Sequence, residues 1–401
     1  MTNKWRQCCW GDIAVLEYGK ALRGYENSAG RIPVFGTNGR IGSHDQALTR
    51  SSGVIIGRKG AYRGVHYCGE PFFVIDTAFY LRPKCDLDMR WAYYQLKTQD
   101  INAMDSGSAI PSTSRGSFYA LNLRLPPLPI QKRIAHILGT LDDKIELNRR
   151  MNETLEAMAR AIFKSWFVDF DPVHAKAAGR DTGLPKHIAD LFPSEFQRSE
   201  LGLIPKGWRV GKFPDQIDFL EGPGLRNWQY RETGVKFLNI RCIADGDLDM
   251  PRANSISETE FVSRYSHFAL SEDDIVISTS GTLGRLAIVR QDHLPAMLNT
   301  SIIRMRGRGS LALGYLWNFL QSAYFLEEMF AAACGSVQLN FGPTHLNSIK
   351  LVMPPGHLVE SFEQTAQPII RQSLRNRRVI HAVGAYRDAI LPKLLSGELA
   401  V

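Results

Sequence analysis

Cysteine is scarce in this chain, and its pattern excludes two classes of protein. Six cysteines occur among 401 residues, and no two of them form a C-x-x-C pair. Secreted disulfide scaffolds and zinc modules both need closely spaced cysteine or histidine groups. The ten histidines also lack H-E-x-x-H or H-x-x-x-H spacing. We therefore expect free thiols in a reducing cytoplasm and no bound metal.

Long apolar segments are also missing. No run approaches the roughly 18 residues that a membrane span requires, and the first residues contain no apolar core typical of a secretory signal. A G-x-x-x-x-G-K-[ST] phosphate loop is absent as well. The sequence therefore predicts a cytoplasmic protein with no membrane contact and no nucleotide site of that kind.

Positive charge is in excess, but it is unevenly distributed. The formal net charge is +8. Residues 1–130 carry 16 Lys and Arg against 10 Asp and Glu, whereas residues 212–350 carry 13 against 15. A basic balance favours a nucleic-acid partner. If the second half binds DNA, it must therefore do so through the placement of individual side chains rather than through bulk charge.

The chain repeats itself. Six landmarks of the first half recur in the same order in the second half, which is typical of a tandem duplication. Three of these pairs are Trp5-Arg6 with Trp208-Arg209, Gly57-x-x-Gly60 with Gly281-x-x-Gly284, and Pro126-Pro127 with Pro354-Pro355. We therefore interpret the chain as two diverged copies of about 200 residues.

The hydrophobic pattern of each copy changes after its Pro-Pro pair. Short Val- and Ile-rich runs broken by Gly, Asn and Pro predict strands and turns, and a long segment of helical periodicity follows them. The fold class predicted is α+β, with two mixed α/β domains separated by two long antiparallel helices that form a coiled coil with a pseudo-two-fold axis. The predicted boundaries are 1–128 for the first domain, 129–168 for the first helix, 169–206 for a linker, 207–355 for the second domain and 356–401 for the second helix.

The helical segments show a seven-residue apolar repeat. In the first segment the repeat contains Ile134, Leu141, Asn148, Leu155 and Ile162. Asn376 occupies the position in the second segment that corresponds to Asn148. Antiparallel pairing brings the two midpoints together, so we expect Asn148 and Asn376 to face each other and fix the register. The alternative is that each amphipathic helix only covers its own domain.

Two similar but non-identical domains joined by helices suit the reading of a two-part DNA site. Dimeric DNA readers place equivalent domains on two half-sites about one helical turn, ~34–36 Å, apart. Here both domains belong to one chain and differ in sequence. The target predicted is therefore bipartite and asymmetric.

Two stretches carry a family resemblance. The run Leu125-Pro-Pro-Leu-Pro-Ile-Gln-Lys-Arg-Ile134, with its continuation through Ala161-Ile-Phe-Lys-Ser-Trp-Phe-Val-Asp-Phe-Asp-Pro172, resembles the central conserved region of the specificity (S) subunits of type I restriction-modification systems. Leu391-Pro-Lys-Leu-Leu-Ser-Gly-Glu-Leu399 resembles the end of the second conserved helix of that family. The chain departs from the family pattern at Ile130, where a glutamate is usual, and at Gly356-His357, near the start of the second helix.

The resemblance implies a non-catalytic role. In this family each target-recognition domain reads one half of a split site in double-stranded DNA, while the helices set the spacer and dock two methylase subunits. The methylases use S-adenosylmethionine to methylate adenine. Two restriction/translocase subunits that use ATP and Mg join where cleavage occurs. No cofactor is expected in this chain itself.

Candidate DNA contacts follow from chemistry and repeat position. Base edges are read by Arg, Lys, Asn and Gln, and phosphates by Arg, Lys and hydroxyls. Glycine-containing loops allow close approach of the backbone, although each such loop has the alternative of being a plain hairpin connection. The candidates in the first half are Asn38, Arg40, Arg58, Lys59, Tyr62, Arg63, Ser112, Thr113 and Arg115. The candidates in the second half are Asn239, Arg241, Thr279, Thr282, Arg285, Gln338 and Asn340.

Phe167 and Phe170 are the candidates for docking a methylase subunit, since they belong to a dense aromatic set in a connecting region. Two other functions remain as alternatives. The chain could be a self-sufficient DNA methyltransferase or nuclease with an unrecognised active site, or a structural coiled-coil adaptor without a DNA role. Turnover by the purified chain alone supports the first alternative, and the absence of salt-sensitive DNA binding supports the second.

Overall fold

The computed structural model describes residues 5–26, 29–105, 110–309, 311–333 and 341–401. The chain divides into two compact units. Unit 1 comprises Met1–Leu147 and Val379–Val401, and unit 2 comprises Asn148–Arg378. Within the described ranges, no helix combines the length and the apolar character that crossing a membrane demands.

Unit 1 is built mainly from short strands, because its Val-, Ile- and Phe-rich runs are separated by Gly and Pro turns. Its strands and short helices lead into one long helix, α4, which continues into unit 2. The elements are β1 (Arg6–Cys9), α1 (Trp10–Ile13), β2 (Ala14–Tyr18), β3 (Ile32–Gly36), β4 (Gly39–His44), β5 (Gly53–Gly57), β6 (Val65–Cys68), β7 (Phe73–Val74), β8 (Ala78–Pro83), α2 (Met89–Lys97), α3 (Arg115–Tyr119), β9 (Asn122–Leu125) and α4 (Leu128–Phe167).

Unit 2 repeats this plan after a short connecting segment, and its last helix returns into unit 1. The connecting elements are α5 (Asp171–Ala177), α6 (Lys186–Ala189), β10 (Phe196–Ser199) and β11 (Gly202–Pro205). The remaining elements are β12 (Arg209–Lys212), α7 (Phe213–Gln216), β13 (Ile217–Glu221), β14 (Val235–Phe237), β15 (Ile243–Ala244), β16 (Asp247–Leu248), β17 (Asn254–Ile256), α8 (Glu258–Glu260), β18 (Ile275–Ser278), β19 (Leu286–Ile288), β20 (Ala296–Met297), β21 (Ile302–Gly307), α9 (Leu313–Leu320), α10 (Ala323–Ala333), α11 (Pro343–Leu346), β22 (Lys350–Met353) and α12 (Gly356–Ser396).

The sheets of the two units have the same strand order. The four-stranded sheet β2-β8-β5-β6 corresponds to β13-β21-β18-β19, and the three-stranded sheet β4-β3-β7 corresponds to β17-β14-β20. The pair β1-β9 likewise corresponds to β12-β22. Such agreement in order and direction confirms the predicted tandem duplication.

The strand registers correct one of the repeat landmarks. Gly57 lies opposite Ala78, the first residue of β8, and Ser278 lies opposite Ile302, the first residue of β21. The structural counterpart of Gly57 is therefore Ser278 and not Gly281. A glycine pattern misleads here because turns tolerate glycine at several positions, whereas a paired strand has only one register.

The two long helices pack antiparallel within each unit, as the apolar repeat predicted. In unit 1 the first part of α4 buries Ile134 and Leu138 in the same core as Leu394 and Leu395 of α12. In unit 2 the last part of α4 shares a core with Phe362 of α12. The alternative, in which each helix only covers its own domain, is therefore wrong.

The register of the helices differs from the prediction by about one turn. The Asn376 side-chain amide donates to Oδ1 of Asn152 at 2.9 Å, so Asn376 faces Asn152 and not Asn148. Asn148 is also buried, at 3% exposure. The midpoint argument ignored side-chain size, and the large ring of Phe362 packs against Phe167, with centroids 5.3 Å apart, which favours the observed offset.

Candidate nucleic-acid interface

Three predicted loops of unit 1 lie side by side and form one surface. The backbone N–H of Gly64 donates to the carbonyl of Thr37 at 3.0 Å, which joins the loop after β5 to the β3–β4 turn. The N–H of Thr113 donates to the carbonyl of Arg58 at 2.8 Å and joins the same loop to the segment before α3. We call this the Arg58 surface; its side chains include Asn38, Arg58, Lys59, Tyr62, Ser112 and Arg115.

Two arginines of the Arg58 surface share one aromatic ring. The guanidinium of Arg58 lies 4.7 Å from the centroid of Tyr18, and that of Arg115 lies 5.2 Å from the same centroid. Tyr18 remains 47% exposed. A guanidinium held flat against a ring loses little further freedom on binding and presents its N–H groups in one plane. This geometry suits a bidentate contact with guanine or phosphate.

Further contacts orient the two arginines. Nη1 of Arg58 donates to the carbonyl of Asp76 at 3.0 Å. Nε and Nη2 of Arg115 donate to the Tyr119 hydroxyl at 3.2 and 3.0 Å. Arg58 and Arg115 are thus oriented by neutral hydrogen-bond acceptors, which do not offset the charge of either guanidinium.

The other exposed candidates of unit 1 surround this pair. Tyr62 is 80% exposed, and Asn38, Arg40 and Lys59 are also exposed. Ser112 is half-buried, and its backbone N–H donates to Oδ1 of Asp105 at 3.2 Å. These side chains supply an amide, two cations, a hydroxyl and an aromatic ring.

Two candidates of unit 1 are buried, which corrects their predicted role. Arg63 is only 4% exposed, and its guanidinium donates to the carbonyl of Asn102 at 2.7 Å. Thr113 is 5% exposed, and its hydroxyl donates to the carbonyl of Gly57 at 2.7 Å. Both side chains hold the loops together and do not reach the surface. The sequence could not separate them from their exposed neighbours, because all of them belong to the same polar loops.

A partly buried histidine supports the turn beneath Asn38. Burial lowers the pKa of His66, and the charge of Lys97 lowers it further. The ring packs so closely against Gly64 that a Cβ at this position would collide with it. Gly64 is therefore required for close packing, and His66 stays neutral at physiological pH.

The corresponding loop in unit 2 has no cation at the position of Arg58 and keeps one, Arg285, at its end. The N–H of Ser278 donates to the carbonyl of Arg285, just as the N–H of Gly57 donates to that of Gly64. Thr279 therefore takes the place of Arg58. Its side chain is 1% exposed, so the prediction of a contact from Thr279 is corrected.

Among the described residues, fewer of the predicted contacts are exposed in unit 2 than in unit 1. Thr282 and Arg285 are exposed, and Nη1 of Arg285 donates to the carbonyl of Ile243 at 3.3 Å. Asn239 caps a short turn by accepting from the N–H of Arg241 at 3.2 Å. Arg241 is exposed, but it is anchored by donating to Oδ1 of Asn254 at 2.7 Å. The predicted contacts Gln338 and Asn340 lie outside the described residues.

The aromatic docking candidates line a pocket of unit 2. Phe167 is 7% exposed and packs against Tyr315 and Phe362, so it is a core residue and not the surface residue that was predicted. Phe170 is half-buried against Trp208. The apolar pocket has a volume of about 220 Å³, and Leu203 at its rim is 63% exposed.

Three noteworthy residues were missed by the sequence analysis. Tyr18 ends β2, Glu221 ends β13, and Trp228 is 69% exposed in the loop that follows Glu221. The repeat Leu16-Glu-Tyr-Gly19 with Leu220-Glu-Gly222 was a signal for the first two. Neither residue belongs to a basic loop, so charge and composition do not mark them as contacts.

The fold and the surfaces define a class: a tandem-duplicated protein in which two sheet units of the same topology share paired long helices and carry different side chains at equivalent loops. Comparison with known proteins agrees with this class. Residues 2–157 match the family described as the type I restriction modification DNA specificity domain.

Relatives and a solved structure extend the match beyond that region. The chain is 25% identical over 341 residues to the HindI specificity subunit of Haemophilus influenzae, covering 74% of this chain and 73% of the relative. It is 23% identical over 372 residues to the MjaVIII specificity subunit of Methanocaldococcus jannaschii, covering 90% and 82%. The fold matches the crystal structure of a type I S subunit from M. genitalium with a TM-score of 0.63, at 16% identity, covering 98% and 96%.

Residues 2–157 thus belong to the type I restriction modification DNA specificity domain family, and over most of its length the chain is similar to specificity (S) subunits of type I systems. It is accordingly a non-catalytic DNA-recognition subunit, as the resemblance implied. This assignment favours DNA recognition over both alternatives, the self-sufficient enzyme and the structural adaptor.

Proposed function

We propose that each unit reads one half of an asymmetric bipartite site in double-stranded DNA. The observation that carries this proposal is the contrast between equivalent loops. The same backbone hydrogen bonds hold Arg58 in unit 1 and Thr279 in unit 2. Two equal scaffolds with different surface chemistry read different bases.

The Arg58 surface supports the proposal that unit 1 contacts DNA. Its paired arginines, together with Asn38, Arg40 and Lys59, offer donors to both base edges and phosphates. In unit 2 the contacts proposed come from Thr282, Arg285, Asn239, Arg241 and Trp228. The proposed contacts of unit 2 include fewer cations than those of unit 1, which implies that binding there depends more on individual base contacts.

The long helices are proposed to set the spacer between the half-sites. α4 has 40 residues and α12 has 41, which corresponds to helices of about 60 Å. The domain boundaries predicted from the sequence, 1–128, 129–168, 169–206, 207–355 and 356–401, belong to this proposal. A longer or shorter helix should change the spacer and leave the bases read unchanged.

Selection from a random duplex library tests the proposal. The purified full chain is expected to enrich a motif with two conserved blocks and a fixed unconserved spacer. Because phosphate contacts release counterions, log affinity should fall linearly with log salt, by about 0.9 for each phosphate contact. Enrichment of no motif, or of one uninterrupted block, contradicts the proposal. Turnover of DNA by the chain alone with Mg and cofactor contradicts the non-catalytic role.

We propose that methylase subunits dock on apolar surface at the end of α4. Phe170 lines the pocket there, and Val168, Leu201 and Leu203 leave exposed apolar area around it. Clustered exposed apolar side chains mark interaction sites in proteins of this size. The expected complex has two methylase subunits that use S-adenosylmethionine, with two ATP- and Mg-dependent restriction/translocase subunits where cleavage occurs. The DNA substrate implies a cytoplasmic location.

A charge placed in this pocket tests the docking. Leu203→Glu is expected to reduce by about tenfold or more the methylase subunit that copurifies with the tagged chain after co-expression, since a charge buried in an interface is costly. Val262→Glu is the matched control, because Val262 is also an exposed apolar residue of unit 2, at 69% exposure. Equal methylase recovery with both variants contradicts this docking site.

A further inference from the structure

The strand registers assign the same position to Tyr18 of unit 1 and Glu221 of unit 2. Tyr18 lies opposite Phe79 in the β2–β8 pair, and Glu221 lies opposite Ile303 in the β13–β21 pair. Each is the last residue of its strand. Side chains directly opposite in an antiparallel pair lie on the same face of the sheet. Glu221 therefore lies on the face of the unit 2 sheet that is equivalent to the face carrying Tyr18 and the Arg58 surface in unit 1.

Neither of the two positions in unit 2 that correspond to the cations flanking Tyr18 holds a cation. Thr279 replaces Arg58, because the backbone carbonyl of each accepts a hydrogen bond from the next segment. The N–H of Thr113 donates to the Arg58 carbonyl, and the N–H of Phe341 donates to the Thr279 carbonyl. Two residues further on, Pro343 takes the place of Arg115 as the first residue of its helix. Unit 2 thus has a carboxylate where unit 1 has a ring between two guanidinium groups.

The Glu221 carboxylate has no partner of its own among the residues that the structure describes. It is half-buried and makes neither a hydrogen bond nor an ion pair with any of them. Burial alone raises the pKa of its carboxyl group. A carboxylate that is partly removed from water without a donor is destabilised, and a donor brought by a ligand relieves this cost.

The chemistry of duplex DNA restricts what that donor is. Phosphates and deoxyribose offer acceptors only, so a carboxylate gains nothing from the backbone and is repelled by its charge. The major groove offers donors only at N4 of cytosine and N6 of adenine. Adenine carries the N7 acceptor beside N6 on its own major-groove edge, and this acceptor opposes a carboxylate, whereas cytosine carries only a C–H beside its amino group.

We propose that Glu221 reads the N4 amino group of a cytosine in the half-site of unit 2, as an acceptor-based counterpart of the arginine-based reading in unit 1. This inference rests on the proposed function, because it assumes that unit 2 reads bases at all. It adds a named residue and a named base to that reading. It also explains how residues 212–350, with 13 Lys and Arg against 15 Asp and Glu, can be slightly acidic and still specific.

The test compares selected DNA motifs of three variants of the full chain. Wild type, Glu221→Ala, Glu221→Gln and the control Asp215→Asn are each used for selection from a random duplex library. Asp215 is an exposed carboxylate just before the other end of the same strand, β13, so it matches Glu221 in charge but not in position. Thermal melting of each chain verifies that it is folded.

The expected result is a change at a single base pair. Glu221→Ala should reduce the preference for cytosine there by about tenfold to a hundredfold. Glu221→Gln should shift the preference toward adenine, because an amide pairs with both N6 and N7 of that base. Asp215→Asn should select the wild-type motif.

Three results overturn the inference. If wild type selects a split motif and both Glu221 variants select the same motif, Glu221 does not read a base although the proposed function stands. The same holds if the Glu221 variants weaken all sequences equally. If wild type selects no split motif, the proposed function itself fails, and this inference fails with it.

Discussion

Replacement of Phe362 by alanine is expected to destabilise unit 2 by about 3–5 kcal/mol. Phe362 is fully buried on α12, and its ring lies 5.9 Å from Phe163, 6.0 Å from Trp166 and 5.3 Å from Phe167. Removing it leaves a cavity in a layer of aromatic rings that cannot easily collapse. Urea-induced unfolding of the full chain measures the loss.

The control for this change is Tyr386→Ala. Tyr386 is an aromatic residue of the same helix, but it is 60% exposed. Its removal should change the free energy of unfolding by no more than about 0.5 kcal/mol. Similar losses for Phe362→Ala and Tyr386→Ala would show that the aromatic layer does not hold the helices together.

Replacement of Arg58 by alanine is expected to relax one base pair in one half-site. Loss of a bidentate base contact costs about 1–3 kcal/mol of discrimination. Arg58→Lys should recover only part of it, because an ammonium keeps the charge but has neither the planar fork nor the stacking on Tyr18. Binding to duplexes with each position of the motif changed in turn measures the effect.

Arg285→Ala gives the matched measurement in unit 2. It should leave the half-site of unit 1 unchanged and affect the other one only. If Arg58→Ala instead weakens binding to all sequences to the same extent and reduces the salt dependence, Arg58 contacts a phosphate and not a base. An effect of Arg58→Ala on both half-sites is incompatible with independent reading by the two units.

The helices were largely predictable from sequence because their apolar repeat is long. The bounds 129–168 were predicted for the first helix, and α4 extends over Leu128–Phe167. The residue of α4 that lies opposite Asn376 was not predictable. A heptad pattern identifies which residues form the seam of a helix, but it does not fix the register against the other helix. The layer around Phe362 depends on ring shape and on packing with Tyr315, which is far away in sequence.

For the recognition surfaces, the sequence predicted which loops are involved but not which side chains of those loops are exposed. Arg58 and Arg63 belong to one basic run, yet one stacks on an exposed ring and the other is buried against Asn102. This distinction depends on which strands pair, which a single sequence does not specify. Tyr18 and Glu221 were missed for the same reason, because only the strand registers relate them.

The core of unit 1 has a consequence for synthesis of the chain on the ribosome. Leu394 and Leu395 pack in the core that also contains Trp10, Ile134 and Leu138. That core therefore stays incomplete until the end of α12 has been translated, although most of unit 1 is made first. Unit 2 consists of one continuous stretch and does not have to wait in this way. Unit 2 is thus the first unit able to finish folding, and the nascent chain keeps the apolar side of unit 1 open until the end of α12 has been translated.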